Sequence, residues 1–479
     1  MSRIICLGYY DQHNLGDECF KIVLRQLLAK SAPQCDDIRF INPHGGYDFD
    51  DLYECIHNQK TIAVIVGGGD LIRDFWMPKI RLLLVGFDRP KLAVSVGISY
   101  PDCSPYLKYF DQIIVRSKED LNMIQPIRCD AKYLPDMTSI LATEYNAHFK
   151  VPIDAKAFRL AICLARPCFK TTVEERQTTI EAIAKSIMKG LYDVVTVRDF
   201  FWDLILLPFN TNQDKECEND ISVQLELKNE LTKLLNNRAY NITCIQTEFD
   251  ATEMLSLLHE KVDFVIGMRF HSVMFSLITN TPFIALYSQP KIQNLIKDLG
   301  VSSEFGQSLD DLITLSSKLT QRVEMALRNE PSLPSFPNDL EDKYVTAIKT
   351  GLSCTNVRVI SDGNALLIPA VRTMNRIIDQ AIIRFFEAQN FNHERAKDAN
   401  LRDTIECLRR DGSSSNDCSI FLNALIIAIR QGKTQDIDDT KKVEQYLYGF
   451  QQKINDNSFP SDGFQNDIIW IIEHFIRNA

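Results

Sequence analysis

Short apolar runs alternate with helix-length amphipathic stretches through the first two thirds of the chain. RIICLG (3–8), IRFINP (38–43), TIAVIVGGG (61–69), KLAVSVGI (91–98), QIIVRS (112–117) and AKYLPD (131–136) read as strands. CFKIVLRQLLAK (19–30) places Phe20, Val23, Leu24, Leu27 and Leu28 at helical spacing. Near 150–157 the pattern restarts. RLAICLAR (159–166), DLILLPF (203–209), NITCIQ (241–246), DFVIGM (263–268) and PFIALY (282–287) are strands, with helices at 174–191 and 223–235 between them. Continuous Val- and Ile-rich runs joined by helix-length connections predict parallel sheets covered on both faces.

Two successive β/α units of about 150 residues predict two Rossmann-like domains facing a cleft, 1–155 and 156–330. PSLPSFPND (331–339) is a proline-punctuated linker. Beyond it, amphipathic segments at 368–389, 418–432, 441–454 and 466–479 predict a C-terminal α-helical region over 340–479, with no catalytic pattern of its own.

Composition narrows the function classes. Hydrophobic residues make up 45% of the 479 and charged residues 24%, a globular profile. A formal net charge of −10 argues against non-specific nucleic-acid or membrane-surface binding, so any anion site must be a local cationic cluster. No apolar run approaches the ~18–20 residues that span a bilayer. The start of the chain lacks the apolar core of a signal peptide. Thirteen scattered cysteines without a C-x-x-C pair point to reduced thiols in a cytoplasmic setting and away from a structural zinc site.

Several strand ends carry candidate chemistry. NLGDE (14–18) follows the first strand and opens the first helix, where Gly16 permits a tight turn and free N–H groups attract anions. Ordinary helix capping by Asp17 and Glu18 fits the same residues. In GGGD (67–70), Gly68 and Gly69 allow close backbone approach to a ligand or simply a loop with positive φ. The dinucleotide fingerprint G-x-G-x-x-G and the Walker loop are absent, and VGISYP (96–101) fails as a nucleophile elbow because Pro101 stands where glycine is needed. Arg166 ends LARP, where it can face a carboxylate or phosphate or form a salt bridge at a domain seam. In GMRFHS (267–272), Arg269 and His271 fall on one side of an extended strand end while Phe270 turns to the core. Such a pair seats an anionic substrate, and histidine can also hold or deliver a proton.

The order of these pieces, with VRSKED (115–120), PDMTS (135–139) and PFIALYSQPK (282–291), resembles the polysaccharide pyruvyl transferase family over about 1–300. The resemblance implies a glycosyltransferase-B-like architecture with phosphoenolpyruvate as donor substrate, a sugar or glycan as acceptor, a pyruvate ketal as product, and no metal or cofactor. It implies that His271 is catalytic, binding donor phosphate or moving a proton. Arg269, Phe270, Arg166 and Lys291 would form the donor side. Asn14, Gly16, Asp17, Gly68 and Gly69 would shape the acceptor side. A nucleotide-sugar glycosyltransferase of the same architecture is the alternative enzyme. An inactive scaffold, with a homo-oligomer or partner contact through the C-terminal helices, is the alternative outside catalysis.

Overall fold

The computed structural model describes residues 2–357, apart from 46, 48, 74–75, 85, 100–103, 147–156, 170–171, 196–200, 214, 216, 236–239, 329–332 and 355–356. The four helical segments expected beyond 357 lie outside the described residues, as does the boundary expected near 155.

The first sheet holds six strands: β1 Ser2–Leu7, β2 Cys35–Ile41, β3 Thr61–Ile72, β4 Lys91–Ile98, β5 Gln112–Val115 and β6 Lys132–Tyr133. All pair in parallel, in the order β2-β1-β3-β4-β5-β6. Their connections carry α1 Leu15–Ser31, α2 Phe49–His57, α3 Met77–Leu84, α4 Ser104–Leu107, α5 Lys118–Ile124 and, after the last strand, α6 Ala142–Asn146.

The second sheet repeats the plan. It comprises β7 Ala157–Cys163, β8 Phe201–Leu206, β9 Tyr240–Cys244, β10 Phe264–Gly267, β11 Phe283–Tyr287 and β12 Gly306–Ser308. The order β12-β11-β10-β7-β8-β9 is again wholly parallel. Helices α7 Val173–Val195, α8 Asp220–Leu234, α9 Ala251–Lys261, α10 Phe270–Ile278, α11 Pro290–Asp298 and α12 Leu315–Leu327 connect and flank it. The architecture is two Rossmann-like domains, each a wholly parallel six-stranded sheet flanked by helices. Among the described residues no helix is long and apolar enough to cross a membrane.

The chain falls into two compact units. One, residues 1–45, 59–77 and 89–358, contains both sheets. The other takes 46–58, 78–88 and 359–479. Within its described part, the His57 ring stacks on Tyr53 at 3.9 Å between centroids, and its Nε2 lies 3.1 Å from the Leu83 carbonyl.

Inside the first unit the two sheets are joined by a packed seam. Helix α1 buries Phe20, Val23, Leu24, Leu27 and Leu28 at the spacing its sequence shows, and it packs on α9 and α10 of the second domain. The last helix among the described residues, α13 Leu340–Leu352, returns from the second domain to lie on α1 and β4 of the first. Its Glu341 accepts hydrogen bonds from Gln26 at 2.7 Å and pairs with Lys30 at 2.6 Å.

Each sheet reverses its strand order once, β1/β3 in the first and β7/β10 in the second. A crevice opens at the carboxyl ends of such strands, which is where α/β sheets bind ligands. Gly16, Asp17 and Asp70 lie at one reversal, and Arg166, Arg269 and His271 at the other.

Candidate active site

The two reversals meet. Gly16, buried in the first turn of α1, lies directly against the His271 imidazole: a Cβ added to Gly16 would stand 1.8 Å from Nδ1. Glycine is therefore required here for close approach rather than for backbone freedom. Gly68 differs, since its φ of 74° sits in the left-handed region and its α-carbon faces Phe20. Phe20 also meets the His271 ring edge-on at 5.0 Å between centroids. With Phe270 and Phe275 against it as well, His271 is only 9% exposed, and its Nε2 has no hydrogen-bond partner among the described residues.

A charged cluster surrounds this ring. Arg116, at the end of β5, donates Nη1 to Asp136 at 3.0 Å and Nη2 to Asp70 at 2.5 Å, and its guanidinium lies 4.3 Å from the Phe270 ring centre. Lys291 reaches Asp70 at 3.3 Å from the start of α11 in the other domain. Burial would raise the Asp70 carboxyl, but Lys291, Arg116 and Arg73 outweigh it and hold it well below the usual carboxylate range. Asp17 goes the other way: burial pushes it up to about 8, with Arg116 opposing and Asp70 reinforcing the shift. Burial thus favours the protonated form of Asp17 near neutral pH. Burial lowers His271 to about 4, so it is a neutral imidazole; Asp136 works against this shift and Arg116 with it.

These shifts have a measurable consequence. Between pH 6.5 and 4 the unfolded chain protonates His271 while the folded protein does not, so its contribution to stability is complete above 6.5 and is lost on acidification. Asp17 acts in the opposite sense, being protonated only in the folded state over that window. The comparison that isolates the histidine is wild type against His271→Asn. Denaturant unfolding at both ends of the window should show the wild type losing about 2–3 kcal/mol more than the variant. Parallel pH dependence would mean that His271 is charged in the folded protein.

Arg269 is placed differently from the sequence expectation. GMRFHS is not an extended strand end. Strand β10 stops at Gly267, Arg269 is the N-cap of α10, and its carbonyl accepts from the Ser272 and Val273 N–H groups. Once the helix begins, alternation no longer applies, and Arg269 and His271 diverge while Phe270 meets Arg116. Arg269 donates Nε and Nη2 to Asp220 at 3.0 and 2.7 Å, and Nη2 also to the Glu218 carbonyl at 2.7 Å. Asp220, fully buried at the start of α8, also accepts from the N–H groups of Arg166, Phe209 and Asn210. One carboxylate thus ties together the ends of β7, β8 and β10. Among the described residues, the Arg269 hydrogen bonds use Nε and Nη2 and leave Nη1 without one.

The remaining expected residues are at the same seam. Strand β7 ends at Cys163 rather than 166; Pro167 cannot donate to a ladder, and Arg166 starts a 3₁₀ turn. The Arg166 guanidinium has no ion-pair partner among the described residues. Asn14 caps α1 by accepting from Gly16 N–H at 3.2 Å and bridges to Asn210 of the second domain. Asp70, Arg116 and Asp136 stand within quoted sequence segments but carry no role there, because nothing local shows that β3, β5 and the 135–139 turn converge. Asp220 had no usable signal: after Asn219, it looks like an ordinary acidic residue in a helix's first turn.

A family model described as polysaccharide pyruvyl transferase matches residues 14–290. The chain belongs to the polysaccharide pyruvyl transferase family. The matched span opens at the Asn14 cap and closes one residue before Lys291, so the family segment and the charged seam nearly coincide. No curated protein matches the chain. Among solved structures it is similar to the UDP co-structure of MnaA from S. aureus, at 14% identity and a TM-score of 0.47, covering 74% of this chain and 97% of that one. A putative UDP-N-acetylglucosamine 2-epimerase from Listeria monocytogenes gives 12% and 0.48, with 74% and 98% covered. An alpha,alpha-trehalose-phosphate synthase (UDP-forming) from Burkholderia vietnamiensis gives 10% and 0.43, with 75% and 95% covered.

Proposed function

We propose that this member of the pyruvyl transferase family moves the enolpyruvyl group of phosphoenolpyruvate onto a sugar of a glycan or glycan precursor and closes it to a pyruvate ketal. The observation that carries the reading is the convergence of the buried Asp17 carboxyl, the buried His271 imidazole and the cations Arg116 and Lys291 at the meeting of the two sheet reversals, where burial favours the neutral forms of Asp17 and His271. Phosphoenolpyruvate brings a phosphate and a carboxylate, and it reacts only after its methylene carbon is protonated.

In this scheme a proton from Asp17 goes to the methylene carbon, leaving an oxocarbenium-like centre at the carbon that bears the phosphate. A sugar hydroxyl attacks that carbon and its proton passes to the neutral His271 imidazole. The C–O bond to phosphate then breaks, and a second hydroxyl closes the ketal. Of the two hydroxyl protons, one leaves with phosphate and one restores Asp17. Arg116, Arg166, Lys291 and the free Nη1 of Arg269 hold the donor's anionic groups, charge stabilisation that fixed donors supply without reorganising. No metal or cofactor enters the scheme. The free thiols among the described residues suit the cytoplasmic setting that it assumes.

The test is phosphate release from phosphoenolpyruvate in the presence of sugar acceptors. His271→Ala should lower turnover by roughly 10²–10⁴-fold and Arg269→Ala by about 10²-fold. Activity surviving both changes overturns the site assignment. Binding of a nucleotide sugar without any response to phosphoenolpyruvate would favour a glycosyltransferase instead.

A further inference from the structure

Asp136 is one of the two carboxylates that hold the Arg116 guanidinium, and it is gripped through both of its flanking peptide groups. On one side the Tyr344 hydroxyl, from α13, donates to the Pro135 carbonyl at 2.7 Å. On the other, the Met137 N–H donates to Ser95 Oγ at 3.0 Å. The Asp136 carboxylate is then fully occupied: Thr138 donates its N–H and hydroxyl to Oδ1 at 3.0 and 2.7 Å, and Arg116 takes Oδ2.

Ser95 adds an independent observation. It lies in the middle of β4, fully buried, with a φ of 55°, a conformation that glycine adopts freely and serine does not. The pairing of β4 with β5 shifts register at this residue, between Val94 and Val96. Such irregularities re-aim a side chain and recur beside active sites. Here the irregularity turns the hydroxyl onto the Met137 N–H. Tyr344 is also fully buried and comes from the helix that returns after the second domain.

We propose that Ser95 and Tyr344 are positioning residues for the reaction: they clamp the 135–137 segment from both sides so that Asp136 aims Arg116 at the donor. The choice of phosphoenolpyruvate as ligand rests on the pyruvyl-transfer reading above. The clamp itself does not.

The experiment uses the full-length protein as wild type, Tyr344→Phe and Ser95→Gly. Glycine suits the backbone of position 95, so the strain that Ser95→Gly relieves offsets part of the cost of orphaning the Met137 N–H, and the melting temperature should fall only modestly. Two readouts are taken. The first is the ¹⁵N resonance of the Arg116 guanidinium without ligand, assigned with Arg116→Lys. The second is the KM for phosphoenolpyruvate against kcat. The resonance should shift or broaden in both variants, and KM should rise roughly tenfold with a smaller change in kcat. An Arg116 signal unmoved in both variants overturns the proposal, as does a KM within twofold of an active wild type in both. If Tyr344→Phe fails to fold, Ser95→Gly decides alone. A wild type that releases no phosphate from phosphoenolpyruvate defeats the pyruvyl-transfer reading, and the guanidinium signal then judges the clamp by itself.

Discussion

Replacing Asp220 by alanine is expected to destabilise the protein by on the order of 3–5 kcal/mol. The carboxylate is fully buried, and its removal strands the Arg269 guanidinium together with the N–H groups of Arg166, Phe209 and Asn210. An unpaired buried cation is the larger part of that cost, and each orphaned N–H adds to it. The double substitution Asp220→Ala/Arg269→Met should recover part of the loss, because it removes the cation along with its partner. Denaturant unfolding of the two single variants and the double variant measures the coupling directly. A loss below about 1 kcal/mol for Asp220→Ala would mean that solvent reaches the pair and that the ends of β7, β8 and β10 are not tied at this point.

The second large effect is expected at Gly16. Its Cα faces the imidazole so closely that an added methyl group must push His271 aside. Both partners are held: Gly16 by the first turn of α1 and the Asn14 cap, His271 by α10 and by Phe20 and Phe275. Gly16→Ala should therefore reduce turnover by roughly 10²-fold or more, the scale on which an ångström of misplacement acts. A crystal structure of the variant should show His271 in a new rotamer or α10 shifted away from α1. Unchanged turnover would mean that the ring can move without consequence, which would take His271 out of the chemistry. Gly68→Ala makes a useful control, because it disturbs the same seam through backbone conformation and Phe20 rather than through the imidazole.

Much of the fold is legible in the order of residues. Runs such as TIAVIV and KLAVSVGI must be buried on both faces, and parallel β/α units follow from the helix-length connections. The strand-end segments NLGDE, GGGD, VRSKED, PDMTS and GMRFHS are likewise visible, and their serial order carries the family resemblance. Local chemistry decides these features: apolar periodicity sets the element, and glycine or proline sets where it stops.

What each strand-end residue does was decided only by tertiary structure. Whether Arg269 faces a ligand or Asp220 depends on a partner 49 residues away whose own sequence context looks like routine capping. Arg116 becomes the central cation because β3, β5 and the 135–139 turn bring Asp70 and Asp136 to its two amino groups. Gly16 acquires its meaning from an imidazole 255 positions later in the chain, across a seam between two sheets. Periodicity reports which face of an element is buried. It carries no information on which side chain of another element will stand opposite, and the charge, proton and reach of every group in this site are set by that neighbour.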